Sequence, residues 1–212
     1  VLTQAERELG AVLVDIGGGT TDVAIFRGGN PWYISVIPAG GQQITRDLSA
    51  ALGVPYHQAE EIKIRWGNAL PEAVPATDEV ILPSFQGAPA RTLKRRALCQ
   101  PIHDRLAEIF KLVLQKIRQA GLRRIPPGGL VITGGTAEIQ GIIELAKKIT
   151  LAPARIAHPA GIFGLPAELR KPSFSTSVGL LLWGIKHQGE QRTYRNGEKT
   201  LWGSRLFGRR RK

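Results

Sequence analysis

Apolar positions along this 212-residue chain change their spacing several times, and each change marks an element. Ala11–Ile16 is an almost unbroken apolar run interrupted by Asp15, and residues 23–27 and 32–37 are short runs rich in branched and aromatic side chains. The pattern predicts three consecutive strands, the last two joined by the turn Gly28-Gly29-Asn30-Pro31. A helix is then expected from the region after Pro38 to Leu52. A second is expected over 55–66, with Glu60 and Glu61 ahead of Lys63 and Arg65, an order that suits the helix dipole. Prolines and short apolar runs between 70 and 89 suggest a hairpin, 79–83 with a partner near Arg91.

The strongest helical period covers 102–120. Ile102, Leu106, Ile109, Phe110, Val113, Leu114, Ile117 and Ala120 repeat at i, i+3, i+4 and i+7, while Asp104, Glu108, Lys111, Gln115 and Arg118 take the other face. That stripe reads as core. Beyond Gly121 come a strand, Leu130–Thr133, the bend Gly134-Gly135-Thr136, a helix over 137–149, a short strand over 154–157 and a closing apolar helix over 176–185. Ser173 or Ser175 is the expected N-cap of that last helix. After His187 the chain turns polar and basic, as a linker does. These elements alternate as in an α/β protein with a mixed sheet and flanking helices.

The candidate chemistry lies between the first two strands, in Asp15-Ile-Gly-Gly-Gly-Thr-Thr-Asp22. Glycines let a backbone approach a ligand closely and take positive φ. Successive N–H groups in such a turn can hold an anion. Asp15 could place a metal-bound water, and Thr20 and Thr21 can donate hydroxyls, so a nucleotide phosphate with Mg²⁺ is the expected ligand. No Gly-Lys-Ser/Thr follows and the turn leads to a strand, so this is neither a Walker A loop nor a Rossmann fingerprint. A plain hairpin turn without ligand would carry the same glycines.

Charge and composition narrow the class. The formal net charge is +12, and between Arg192 and Lys212 eight basic residues face one acidic one. The single cysteine, Cys99, rules out an internal disulfide and fits a reducing compartment. His57, His103, His158 and His187 show no ligand spacing. Trp66 and Trp183 read as packing residues. The chain contains no methionine, not even at position 1, which suggests a piece of a longer protein.

Four segments together resemble the actin, Hsp70 and sugar-kinase superfamily: the Asp15–Asp22 turn as its second phosphate loop, Leu130-Val-Ile-Thr-Gly-Gly-Thr-Ala-Glu-Ile-Gln-Gly141 as its adenosine loop, Ala59-Glu-Glu-Ile-Lys63 as its nucleotide-flanking helix, and Phe174-Ser-Thr-Ser-Val-Gly-Leu-Leu-Leu-Trp183 as its closing helix. Within it the chain is most similar to the FtsA cell-division family, through Val36-Ile-Pro-Ala-Gly-Gly-Gln-Gln-Ile-Thr-Arg-Asp47, the Glu-Glu-Ile-Lys helix and the basic, aromatic C-terminus. The resemblance implies the C-terminal half of an actin-like (ribonuclease H-like) ATPase fold. Residues 1–41 and 126–187 would form subdomain 2A, 42–125 an inserted α+β subdomain 2B, and 188–212 a linker and tail. It further implies that Gly17, Gly18, Gly19, Thr20 and Thr21 hold phosphates and that Asp15 reaches Mg²⁺ through water. Glu60 and Lys63 would meet the ribose or base, and Gly134, Gly135 and Thr136 would underlie the adenine of ATP. Gly40 and Gly41 would let the following helix approach the ligand. No catalytic residue is expected here, with slow hydrolysis at most in a complete protein.

The expected partners follow from the same resemblance: self-association into filaments, the FtsZ C-terminal peptide on subdomain 2B, and an anionic membrane, with no nucleic acid. The place would be the cytoplasmic face of the bacterial inner membrane at the division site. Arg91, Lys94, Arg95 and Arg96 are a candidate for an acidic peptide, and equally a solvated face. In the tail, Leu201, Trp202, Leu206 and Phe207 precede Arg209, Arg210, Arg211 and Lys212. As a helix, Trp202, Leu206 and Phe207 would share an arc of about 140°. Aromatics can enter the headgroup region while the cations meet anionic lipid. A solubilising tail and a nucleic-acid patch are the alternatives. Rival readings are a related scaffold such as the PilM pilus adaptor, or an Hsp70-like or sugar-kinase enzyme. A pilus scaffold should lack the basic amphipathic end.

Overall fold

The computed structural model describes residues 1–82 and 89–187. Strands β1 (Ala11–Ile16), β2 (Thr21–Arg27) and β3 (Asn30–Ile37) form an antiparallel meander. The chain then leaves the sheet and returns beside β1 as β6 (Leu130–Thr133), parallel to it, followed by parallel β7 (Ala154–Ile156). The result is a five-stranded mixed sheet in the order β3-β2-β1-β6-β7. Tight turns can join only antiparallel neighbours. The parallel return therefore needs the long crossover that the intervening helices supply.

Preceding the sheet is a short helix, α1 (Gln4–Leu9), closed by a capping box between Thr3 and Glu6. The crossover contains α2 (Gly41–Leu52), α3 (Tyr56–Trp66), the two-stranded hairpin β4 (Glu79–Leu82) and β5 (Arg91–Lys94), and α4 (Arg95–Gln119). After β6 come α5 (Ile142–Thr150) and a last helix, α6, over 175–187. Val12, Val14, Ile16, Val23 and Ile25 project from one face of the sheet into a core shared with Ile109, Phe110 and Val113 of α4. The expected apolar stripe of α4 is indeed buried from Ile102 to Ile117.

Four boundaries differ from the sequence expectation. Helix α4 starts at Arg95 and carries Pro101 inside it, because Leu98, Cys99 and Ile102 are all fully buried on one face and hold the extra turns in place. Glu60 and Glu61 fall in the second turn of α3, so its first turn carries no acid for the dipole. The helix expected over 137–149 is split. Gly135–Glu138 is a 3₁₀ turn, and Gln140 then bridges to Asn68, with Ala69 N–H donating to its carbonyl at 2.7 Å, which pulls the backbone out of helix until Ile142. Neither serine caps α6. Ser175 is already helical and pairs its hydroxyl with Thr133 at 2.6 Å, while Ser173 lies in the 3₁₀ turn Pro172–Phe174 and donates to Glu138.

Trp183 also departs from its packing role. It is 58% exposed on α6, stacked on His187. Residue 83 of the expected hairpin and all of 188–212 lie outside the described residues. Among the described residues, no helix is long and apolar enough to cross a membrane.

Candidate functional site

Strands β1 and β6 are parallel neighbours with Asp15 opposite Thr133. The segments leaving their C-terminal ends must therefore emerge at the same edge of the sheet. Strand β1 runs into Gly17–Thr20, and β6 runs into Gly134–Thr136. The two bends touch: the Thr136 hydroxyl donates to the Gly17 carbonyl at 2.9 Å. Gly134 has φ +88°, and a Cβ there would stand 2.4 Å from both Asp15 Oδ1 and the Ile16 carbonyl oxygen, so only glycine fits.

The glycine turn itself departs from expectation in its dihedrals. Gly17, Gly18 and Gly19 all avoid positive φ. Gly17 N–H closes the turn onto the Thr20 carbonyl at 2.9 Å. The tight approach lies opposite, at the start of α2, where a Cβ on Gly40 would be 2.6 Å from the Gly17 carbonyl. The α2 amides of Gly41 and Gln42 donate to the carbonyls of Gly17 and Gly18, at 2.9 and 2.7 Å. These glycines thus bring the helix against the turn, and its first amides are spent there rather than left for an anion.

The two threonines differ. Thr21 is fully buried and donates to the Ala39 carbonyl at 2.8 Å, bracing the chain before α2. Thr20 and Gly19 stay exposed, with the Thr20 hydroxyl 3.4 Å from Asp22. Asp15 accepts from the Thr176 hydroxyl of α6 at 2.7 Å, which fixes its carboxylate beside the Gly134 bend.

Across the opening stands α3. Lys63 is nearly buried, and its ammonium donates to Glu60 at 2.8 Å, to the Thr45 hydroxyl at 2.9 Å and to the Gly41 carbonyl at 3.1 Å. All three of its donors are engaged, so this lysine ties α3 to the first turn of α2. Glu60 remains about one-third exposed and also accepts from Thr45.

Between α3, the start of α2 and the Gly134 bend lies a cleft of about 600 Å³, within the range of small-molecule sites. Gly18, Glu60, Lys63, Gly135 and Thr136 line it as the sequence suggested, while Asp15, Gly17, Gly19, Thr20, Thr21 and Gly134 sit outside its lining. Tyr56 and Ile64 also line it, and the i, i+4, i+8 spacing of Tyr56, Glu60 and Ile64 on one face of α3 was the available signal. Gln42, Glu138 and Gln140 complete the polar rim. Nothing in their local sequence marks them, because tertiary bridging places them.

The basic cluster beyond the hairpin is largely spent within the chain. Arg91 donates to the Leu52 carbonyl, Lys94 pairs with Glu79, Arg95 with Asp78 and the Trp66 carbonyl, and Arg96 with the Val74 carbonyl. Cys99 is buried, which pushes its thiol pKa up. Among the described residues, no group of three histidine, cysteine or acidic side chains could hold a metal ion.

Comparison with known proteins places this geometry. The family described as cell division protein FtsA matches residues 12–179. The cell division protein FtsA of Pseudomonas aeruginosa is 44% identical over 190 residues, covering 90% of this chain and 46% of that protein. The chain spans about half the length of the curated relatives it matches. Among solved structures, the PilM–PilN type IV pilus biogenesis complex aligns with a TM-score of 0.64 at 17% identity, covering 86% of this chain and 48% of the other. MreB5 of Spiroplasma citri bound to ADP aligns with a TM-score of 0.61 at 19% identity, covering 87% and 56%. Those two likenesses establish the actin-like fold, and the sequence match goes further: the chain belongs to the FtsA family of cell-division proteins.

Proposed function

We propose that this chain supplies one wall of an ATP site in a cell-division protein of the FtsA type. In this reading residues 1–41 and 126–187 form subdomain 2A, 42–125 form 2B, and 188–212 are a linker and membrane-targeting tail. One observation carries it: the phosphate turn and the Gly134–Thr136 bend meet at a single sheet edge, bonded through Thr136 and Gly17, with α3 closing the third side. The solved MreB5 structure with ADP supports a nucleotide as the ligand class.

The residues divide the work among them. Backbone amides of Gly18, Gly19 and Thr20 and the Thr20 hydroxyl face the phosphates, with Gly17 holding the turn in shape. Gly135 and Thr136 form the floor under the base, and Glu60 accepts from ribose hydroxyls. Lys63 positions Glu60 and the start of α2. Asp15 would hold magnesium through water; a lone carboxylate suits a cation that keeps most of its waters. That ion, when bound, neutralises phosphate charge. The nucleotide acts as a conformational ligand governing filament assembly, with FtsZ's C-terminal peptide received on 42–125 and the tail on anionic lipid of the cytoplasmic membrane.

Photo-crosslinking tests the site even at weak affinity. The 212-residue chain is irradiated with 8-azido-ATP at millimolar concentration and digested. Label competed by ATP should map to peptides bearing Tyr56–Lys63 or Gly135–Gln140. Label elsewhere, or label indifferent to excess ATP, overturns the reading.

A further inference from the structure

The edge of the sheet opposite the cleft gathers a second set of groups that nucleotide binding leaves unused. Three segments meet at the start of β1. Gly29 N–H in the β2–β3 turn donates to the Arg7 carbonyl of α1 at 2.9 Å, and Gly128 N–H donates to the Gly10 carbonyl at 2.8 Å. Pro126 packs so close to Gly10 that a Cβ on Gly10 would lie 3.1 Å from it. These contacts put Arg7, Arg27, Arg123 and Arg124 at one end of the molecule. All four are exposed, and among the described residues none has an acidic partner within ion-pair distance. The one acidic neighbour on this part of α1 that lacks a cationic partner is Glu8, which accepts from Gln4.

The cations do not stand alone. The Arg27 guanidinium lies over the Trp32 ring, 5.4 Å from its centroid, and Trp32 is 58% exposed. Leu9, at the end of α1, is 62% exposed. Arginines interleaved with an exposed tryptophan and leucine match a bilayer interface, where an indole sits at headgroup depth while guanidinium groups meet anionic lipid. A purely basic face would instead suit a nucleic-acid backbone. A six-residue β1 separates this end from the cleft by about 20 Å, so a surface bound here leaves the cleft open.

We propose that this arginine and tryptophan pole of the folded body is a second contact with anionic membrane, acting beside the tail. The proposal rests on the membrane half of the proposed function. Two contacts on one chain act in series: the tail holds the body near the surface, and the pole then binds at high effective concentration and fixes its orientation with the cleft facing away.

The test uses the full 212-residue chain and vesicles of phosphatidylcholine doped with phosphatidylglycerol, with phosphatidylcholine alone as control. The pole variant carries Arg27→Ser, Arg123→Ser and Arg124→Ser. The tail variant carries Trp202→Ser, Phe207→Ser and Arg210→Ser. The pole variant should lower the vesicle partition coefficient by about fivefold per arginine removed, while far-UV circular dichroism stays unchanged. A chain labelled with an environment-sensitive dye at Leu9→Cys, Cys99 being buried, should shift its emission to the blue on anionic vesicles only.

The two readings fail separately. Equal pelleting of wild type and pole variant, with no dye shift, overturns the pole even if the tail variant stays in solution. Loss in the pole variant with an unaffected tail variant upholds the pole and removes the tail. Loss of binding to a DNA oligonucleotide in the pole variant, with vesicle pelleting unchanged, assigns the face to nucleic acid and overturns the proposal.

Discussion

Three glycine-to-alanine substitutions separate two costs that a glycine can avoid. Gly28 sits at φ +58° with no atom within 4 Å of an added Cβ, so alanine there meets only the left-handed penalty, about 1 kcal/mol. Gly40 has an extended backbone, yet its Cβ would stand 2.6 and 2.8 Å from the Gly17 and Gly18 carbonyls. It meets the steric cost alone, and those carbonyls are already tied to α2, so an estimate of about 2 kcal/mol follows for overpacking. Gly134 meets both. Its φ +88°, ψ 165° lies in a region populated by glycine, at about 1–3 kcal/mol for another residue. Its Cβ would also be 2.4 Å from a carbonyl held in the β1–β2 ladder. The sum is about 4 kcal/mol or more. Urea unfolding followed by circular dichroism should give midpoints falling in the order Gly28→Ala, Gly40→Ala, Gly134→Ala, with unchanged slopes. A Gly134→Ala midpoint no lower than that of Gly28→Ala refutes the hard contact between the Gly134 bend and the end of β1.

Lys63→Met should cost about 2 kcal/mol, because it removes the cation beside the partly buried Glu60 carboxylate; adding Glu60→Gln should recover part of that in thermal melts, and a wild-type melt for the single variant would refute the tie. The Arg155 guanidinium, bonded to Glu6 at 2.6 and 2.7 Å, holds that carboxyl down at about 2, against an ordinary 4.5. A depressed carboxylate stabilises the fold fully above its unfolded value, so the contribution, about 1 kcal/mol after solvent screening, should drain away between pH 4.5 and about 2. Acid titration of stability should show that slope, and Arg155→Met should flatten it. Burial and a raised thiol pKa predict that Cys99 reacts with an aromatic disulfide at least about 100-fold more slowly in the folded chain than in urea; equal rates would refute its burial.

Much of the sheet was legible because its signals are local. Ala11–Ile16 and Leu130–Thr133 are apolar runs bounded by glycines, and their bounds coincide with β1 and β6. The α4 stripe was legible for the same reason, since a helix buried along one face writes its period into the chain. What escaped depends on contacts between distant segments. The break at Ile139–Gly141 comes from a bridge to Asn68, some seventy residues upstream, and no local propensity marks it. The glycines of the β1–β2 turn were singled out for conformational freedom, but that freedom is used at Gly134, while Gly40 and Gly41 serve close approach. Thr20 and Thr21 are identical in sequence terms. Thr20 ends the exposed turn while Thr21 opens β2 and turns its hydroxyl inward to the Ala39 carbonyl.

The stitching of α2 to the glycine turn has a mechanical corollary. With Gly41 and Gln42 bonded to Gly17 and Gly18 at one end, and Arg91 gripping Leu52 at the other, this helix is a rigid rod pinned at both tips. Twelve residues make it about 18 Å long, so a ten-degree rocking of the turn would carry its distal tip about 3 Å. A small displacement on the cleft side would thereby reach the hairpin that carries Arg91 enlarged.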